Sequence, residues 1–272
     1  MVRFEYLQWL LYWSSLLLAA TVAAAGLPSS RISGGENADI EDYPFVLQLD
    51  FLSTSGNSWS QYGGGVLINN FYAITSAHKF FESSFAGVET ARVRAGSSQR
   101  NSAGVIYGVN TISIHPDYAD DAERDADIAV VRLARAVDFT DKIQAGILYT
   151  ADSVIPDNAE VTVVGWGNTG SLGASPSRQL QALTLNHINQ EVCEQRYGFG
   201  VTDNMICYGI LDTEERKSPC FGDAGGPVIY KNGEYDGVIG LISWGQSCAN
   251  SYFPSVGTFI PAVVDWVLAE AS

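Results

Sequence analysis

The stretch Cys220-Phe221-Gly222-Asp223-Ala224-Gly225-Gly226-Pro227 is the most informative part of this chain. Its glycines predict a tightly bent loop, because glycine adopts left-handed backbone conformations without a steric cost. Such a bend directs backbone N–H groups toward one point. Ala224, at the centre of the loop, has a methyl group with neither a proton to lose nor a lone pair to attack with. The stretch therefore predicts an amide-lined site that lacks a nucleophile at its centre.

Outside this loop, the chain consists of short apolar runs separated by turn residues. Many short runs with glycine-rich turns predict an all-β barrel or sandwich. The C-terminal segment differs, because Val263, Trp266 and Val267 recur at helical spacing and predict a terminal helix. The strand candidates are Phe45–Phe51, Gly65–Ile68, Phe71–Thr75, Ala129–Leu133, Val161–Val164 and Val238–Ile242.

Four pieces of the sequence stand out in chain order. They are Arg31-Ile32-Ser33-Gly34-Gly35, Thr75-Ser76-Ala77-His78, Asp127-Ile128-Ala129-Val130, and Gly222 to Pro227 followed by Ser243-Trp244-Gly245. In this order and spacing they resemble the trypsin/chymotrypsin family of serine proteases, and the resemblance covers nearly everything after residue 31. It implies two antiparallel six-stranded β-barrels, at about residues 32–145 and 146–272, with a C-terminal helix and a cleft between the barrels.

The resemblance implies a catalytic role for each position. His78 matches the general base, Asp127 the carboxylate that orients it, and Ala224 the position of the serine nucleophile. The N–H groups of Gly222 and Ala224 would form the oxyanion hole, which needs no side chain. Hydrolysis by this route requires a hydroxyl nucleophile. Removing it lowers turnover on the order of 10⁶-fold, so we expect no useful peptidase activity.

The same resemblance implies a specificity pocket and an activation site. Ser218 would form the base of the pocket, and no acidic residue is available there to pair with Arg or Lys. We expect this pocket to accept a large apolar or aromatic side chain of a bound peptide. The alternative is that the pocket residues of a protein that does not cleave have changed without selection and indicate no specificity. Cleavage after Arg31 would free the Ile32 ammonium to pair with Asp223, since an unpaired buried carboxylate is costly. The other pocket residues are Ser243, Trp244, Gly245 and Ser255.

Four cysteines, all in the second half, predict two disulfides in an exported chain, with three connectivities open from the sequence alone. The resemblance implies Cys193–Cys207 and Cys220–Cys248. Gly63 and Lys79 stand where the family has a further cross-link that holds the histidine loop. Losing such a bridge costs about 2–4 kcal/mol, so the first barrel must rely on packing or tolerate a looser His78 loop.

The N-terminus predicts export. Arg3, an apolar stretch of about residues 10–22 and the alanines at 23–25 are typical of a signal peptide, here residues 1–25. Residues 26–31 would be a short activation propeptide and residues 32–272 the protease domain. No later run reaches ~18 apolar residues, which predicts no membrane span. The net charge of −15 argues against nucleic acid and anionic lipid as partners.

We expect no metal or other cofactor. The acidic run from Asp117 to Asp127 lacks the regular alternation and central glycine of a calcium loop. The cysteines lack close Cys-x-x-Cys spacing for zinc. His115 and His187 are expected to have no direct functional role.

These observations favour a secreted, monomeric and catalytically inactive serine protease homologue. It would bind protein or peptide ligands, including active proteases or their inhibitors, and would be processed by an upstream trypsin-like enzyme. The alternative is a chymotrypsin-like serine endopeptidase zymogen in which Ala224 replaces the serine of the natural enzyme. The genomic codon for residue 224 distinguishes the two hypotheses.

Overall fold

The computed structural model describes residues 35–168, 175–214, 217–233 and 235–272. The predicted signal peptide, the propeptide and the Arg31–Ile32 junction lie outside the described residues. A short first strand, β1 (Glu36–Asn37), pairs with Gln181 and Ala182 of the second half of the chain.

Six antiparallel strands close the first barrel in the order β2-β3-β4-β7-β6-β5. Along β2, Leu47, Leu49 and Phe51 alternate into the barrel interior, as the two-residue period of a strand requires. The strands are β2 (Val46–Leu52), β3 (Trp59–Leu67), β4 (Tyr72–Thr75), β5 (Ala91–Ala95), β6 (Val105–Ile114) and β7 (Ala129–Leu133).

The second barrel closes in the order β8-β9-β10-β13-β12-β11, and β11 pairs back with β8. Two six-stranded barrels with a C-terminal helix are the architecture predicted from the sequence, which is thereby confirmed. The strands are β8 (Glu160–Gly165), β9 (Gln181–Ile188), β10 (Met205–Gly209), β11 (Pro227–Lys231), β12 (Asp236–Trp244) and β13 (Ser255–Phe259).

Within the described ranges, two α-helices accompany the barrels. Helix α1 (Gln190–Tyr197) begins after Asn189, whose side-chain oxygen accepts the Glu191 N–H at 2.9 Å, and ends at Gly198 in the left-handed conformation. Helix α2 (Ile260–Glu270) buries Val263, Val264 and Val267. Short 3₁₀ turns span Ala77–Phe81 and Val88–Thr90. No helix in the described ranges is long and apolar enough to cross a membrane.

An apolar cluster joins the two barrels and α2. The first barrel contributes Val46, Ile74 and Val130, and Leu241 comes from the second barrel. Val263 of α2 packs against the same cluster. This contact fixes how the barrels face each other and therefore determines the shape of the cleft between them.

Both disulfides lie in the second half, with the pairing that the resemblance implied. Cys193–Cys207 joins α1 to β10, with Cα atoms 6.3 Å apart. Cys220–Cys248 joins the loop before β11 to the segment after β12, with Cα atoms 5.2 Å apart.

Replacing Phe51 by alanine tests the first-barrel core. Phe51 is completely buried among Tyr62, Phe80 and Phe85. Because a large cavity would remain, we expect the free energy of unfolding to fall by about 3–5 kcal/mol in urea denaturation. Phe199→Ala is the control, because that ring is 84% exposed, and it should change stability by less than about 0.5 kcal/mol. Equal effects of the two variants would contradict this description of the core.

Candidate active site

His78 and Asp127 meet because β4 and β7 are paired. Thr75 lies opposite Ala129 in this ladder, and the two functional residues lie just beyond β4 and just before β7. Asp127 accepts the backbone N–H of His78 at 2.8 Å and contacts its Nδ1 at 2.7 Å. With a proton on Nδ1, the Nε2 lone pair of His78 is the one free to accept a proton.

The Asp127 carboxylate is buried and held from several sides. Ser243 on β12 donates its hydroxyl to the same Asp127 oxygen that contacts His78. Thr258 on β13 donates to the Asp127 backbone carbonyl at 2.8 Å. Burial acts to raise the pKa of Asp127, but the hydrogen bonds from His78 and Ser243 outweigh it and lower that pKa overall. The second barrel therefore fixes the group that orients His78.

The loop around Ala224 leaves two N–H groups available. The carbonyl of Phe221 accepts the Asn168 N–H, and the carbonyl of Asp223 accepts the Gly226 N–H, each at 2.9 Å. In a trans peptide the N–H points away from the carbonyl, so the N–H groups of Gly222 and Ala224 face the other side. Among the described residues neither of these N–H groups has a hydrogen-bond acceptor. Two fixed, unbonded donors are what binding a carbonyl oxygen requires.

The backbone at Gly222 needs glycine, because its φ is +97°. Ala224 follows in the same turn and is 9% exposed. Its carbonyl accepts the Gly64 N–H from the first barrel at 2.9 Å. The predicted nucleophile position is therefore held in place although its side chain is a methyl group.

The predicted pocket residues converge beside this loop. Ser218 is 4% exposed, and its hydroxyl accepts the Ala249 N–H at 2.6 Å and donates to the Pro219 carbonyl at 2.9 Å. A Cβ atom on Gly245 would lie 3.8 Å from the Ser255 Cα, so these two backbones are neighbours. The base position is uncharged and its hydroxyl is already hydrogen-bonded, which makes it a poor partner for a cationic side chain.

One wall of the pocket continues into an aromatic cluster. Trp244 packs edge-on against Tyr197 of α1, with ring centroids 4.8 Å apart. Tyr197 in turn contacts Phe253 at 5.1 Å. Phe81, three residues after His78, stacks on Tyr118 at 5.1 Å and stays 65% exposed.

Asp223 is the second buried carboxylate of the site. It accepts the Gly167 N–H at 2.7 Å and the Cys220 N–H at 3.0 Å. Burial raises its pKa to about 6, although both hydrogen bonds act to lower it. The predicted partner, Ile32, lies outside the described residues, so their pairing stays a prediction.

Lys79 and Gly63 compensate structurally for the absent cross-link. A Cβ atom on Gly63 would lie 3.7 Å from the Lys79 Cε and 2.6 Å from the Ala224 carbonyl oxygen, so only glycine permits this close approach. The buried Lys79 stem packs in the space, and its ammonium contacts the Glu82 carboxylate at 2.9 Å. The same Glu82 oxygen lies 3.9 Å from the His78 Nε2. The His78 loop is therefore held by packing and an ion pair.

Glu82 and Gln61 are parts of the site that were not predicted from the sequence. Glu82 follows Lys79 by three residues, a spacing that favours pairing on a helical turn and was visible in the sequence. Gln61 donates its side-chain amide to the Gly222 carbonyl at 3.0 Å, across a sequence separation of 161 residues. No local pattern could have revealed that contact. His115, by contrast, packs against Trp266 at 4.6 Å, away from these residues.

Comparison with known proteins gives matches along nearly the whole chain. A family model described as "Trypsin" matches residues 32–267. The chain is 37% identical over 258 residues to "Trypsin, alkaline B" of Manduca sexta, covering 93% of this chain and 96% of that protein. It is 34% identical to a trypsin of Phaedon cochleariae, covering 89% of each chain. It is 33% identical to the "Vitellin-degrading protease" of Bombyx mori, covering 95% of this chain and 92% of that protein.

Substitutions of Lys79 test separately the ion pair with Glu82 and the packing of the Lys79 stem, both of which hold the His78 loop. Lys79→Met keeps the stem and should lower the free energy of unfolding by about 1 kcal/mol through loss of the ion pair. Lys79→Ala also removes buried methylenes and should cost about 2–3 kcal/mol. Lys142, whose ion pair with Glu41 is 55% exposed on each side, is the matched control. Both substitutions at Lys142 should stay within about 0.5 kcal/mol in urea denaturation. Equal losses at the two lysines would contradict this role.

Because the pKa of Asp223 is raised, the stability of protein that is not cleaved after Arg31 should depend on pH. Its stabilising contribution is complete below the unfolded pKa of 3.8 and is lost as pH rises through about 6. We therefore expect the stability difference between the parent and Asp223→Asn to shift against the parent by about 3 kcal/mol between roughly pH 3 and pH 8. Urea denaturation across this range measures the difference.

The same measurement after cleavage is the control. A free Ile32 ammonium would favour the carboxylate, so the loss at high pH should shrink or reverse. A stability difference that stays constant with pH in the uncleaved protein would contradict the assignment of Asp223 as a buried, destabilised carboxylate.

Proposed function

Because the chain belongs to the trypsin family, we propose that it is a serine protease homologue without peptidase activity that binds peptide segments in its cleft and leaves them intact. One observation carries the proposal. Ala224 occupies the nucleophile position of a site whose other groups, His78, Asp127 and the free N–H groups, are assembled. These groups can bind and polarise a carbonyl, but they cannot form the covalent acyl intermediate.

Four hydroxyl groups of the site and its surroundings donate hydrogen bonds to other acceptors. Ser243 donates to Asp127, and Ser218 to the Pro219 carbonyl. Thr75 donates to the Gly64 carbonyl at 2.7 Å, and Ser76 to the Ile242 carbonyl at 2.9 Å. None of these four is placed as a substitute nucleophile, which supports binding without cleavage.

The ligand we propose is a peptide with a large uncharged anchor side chain. The base of the pocket is Ser218, which carries no charge, and Trp244 supplies an aromatic wall. The Phe81 ring, three residues after His78, is 65% exposed and adds apolar surface near that residue. Aromatic surface of this kind offers a large contact area for a peptide with apolar side chains.

The proposed setting is extracellular. Two disulfides fit an oxidising compartment, as does the predicted signal peptide. There the protein would act as a monomer that captures peptides, competes with active proteases for substrates or inhibitors, or assists a proteolytic cascade. Cleavage after Arg31 by a trypsin-like enzyme would convert it to the binding form.

A specific observation favours a second function. The contacts among His78, Asp127 and Ser243 are complete, as an active protease would need. The relatives named above also carry the names of proteases. This favours a chymotrypsin-like serine endopeptidase zymogen in which Ala224 replaces a natural serine.

Restoring the serine tests both functions. The parent and Ala224→Ser, each cleaved after Arg31, would be assayed for hydrolysis of peptide esters ending in phenylalanine or arginine. We expect the serine variant to hydrolyse the phenylalanine ester on the order of 10⁴-fold or more faster than the parent, with little action on the arginine ester. The parent should bind the phenylalanine peptide in calorimetry. Adding His78→Ala to the serine variant is the control and should abolish turnover.

Hydrolysis by the parent at the rate of the serine variant would contradict the proposed inactivity. A serine variant that neither hydrolyses nor binds these peptides would show that the cleft is not competent. The function would then lie on another surface of the protein.

A further inference from the structure

Gln61 connects the first barrel to the carbonyl of Gly222. Its side-chain amide Nε2 lies 3.0 Å from that oxygen and 3.5 Å from the carbonyl of Gly63 on its own strand. The side chain is half-buried at the contact between the barrels. Together with the Gly64 N–H, which donates to the Ala224 carbonyl, it is one of two donors that β3 supplies to the loop.

A β-bulge places Gln61 at this position. Leu49 pairs with Gly63 and Asp50 with Gln61, so Tyr62 is the extra residue on β3. Bulges beside functional sites redirect a side chain relative to the regular alternation of the strand. Tyr62 instead packs on Phe51 in the barrel, with ring centroids 5.2 Å apart.

Gly222 has a positive φ that glycine adopts without strain, and both of its peptide groups are held. The peptide before it is fixed by the Asn168 N–H on the Phe221 carbonyl. The peptide after it is fixed at one end by the Asp223 N–H, which donates to the Cys220 carbonyl at 3.0 Å. Gln61 holds the other end. Without this hydrogen bond, the second peptide loses one of its two restraints, and the positive φ of Gly222 is less well defined.

We propose that Gln61 is a positioning residue for the carbonyl-binding N–H groups of Gly222 and Ala224. It touches neither the ligand nor a reacting atom, and it acts through the Gly222 carbonyl. The inference rests on the proposed function, because it assumes that a peptide carbonyl is bound at those two N–H groups. Because Gln61 belongs to the first barrel and Gly222 to the second, these N–H groups then depend on both barrels.

Two uncharged peptide isosteres test this role in protein cleaved after Arg31. Both carry a phenylalanine anchor, but one retains the anchor carbonyl as a ketomethylene group and the other has an ethylene group in its place. The parent should bind the ketomethylene peptide about tenfold more tightly, as expected for two hydrogen bonds of modest net strength. Gln61→Met, which keeps the length of the side chain, should reduce this ratio to about twofold or less.

Gln190→Met is the matched control. The side chain of Gln190, on α1, also donates to a backbone carbonyl, that of Thr202, at 3.0 Å. A purely structural loss should affect stability similarly in both variants, but only Gln61→Met should change the ratio of affinities. A second readout uses the Ala224→Ser background, where Gln61→Met should lower kcat about tenfold and raise KM by about fivefold at most, the loss expected for the ground-state carbonyl.

The outcomes separate this role from the proposed function. An unchanged affinity ratio together with an unchanged kcat in the Gln61→Met proteins overturns the role of Gln61 and leaves peptide binding standing. If the parent binds neither isostere but Gln61→Met still lowers kcat in the serine background, the proposed function fails and the positioning role is supported.

Discussion

The apolar contact between the two barrels is the constraint on which the candidate site depends. Val46 and Ile74 of the first barrel meet Leu241 of the second, and α2 packs against the same cluster. His78 and Asp127 belong to the first barrel, whereas the loop around Ala224 belongs to the second. Neither barrel alone contains the site, so the contacts that cross between the barrels, such as the 3.0 Å hydrogen bond from Gln61 to the Gly222 carbonyl, depend on this apolar contact.

Polar contacts across the same boundary complete the arrangement. Ser243 and Thr258 of the second barrel hold Asp127, while Gly64 and Gln61 of the first barrel hold the loop around Ala224. Each half of the site is thus oriented by the opposite barrel. Such a reciprocal arrangement suits a protein that must bind a peptide carbonyl, because binding requires fixed donors even when no bond is broken.

Local patterns in the sequence predicted strands and the terminal helix, whereas the two barrels and the candidate site residues were implied by the resemblance to serine proteases. The run Ala129–Leu133 is a strand with those same bounds, and the helical spacing of Val263, Trp266 and Val267 falls within α2. Helix α1 was not evident from periodicity, because it buries only Cys193. The contact of Gln61 with Gly222 depends on two strands of different barrels, so no local pattern encodes it. The compensation at Lys79 likewise required knowledge of the space beside Gly63.

In the function that we propose, the cleft binds a peptide and leaves it intact. The decisive experiment mixes the protein, cleaved after Arg31, with an eight-residue peptide that carries a phenylalanine anchor. Calorimetry and mass spectrometry are then applied to the same sample over days. We expect saturable binding and a peptide of unchanged mass. Cleaved peptide would contradict the absence of catalysis, and the absence of any binding heat with an unchanged melting temperature would contradict a function in this cleft.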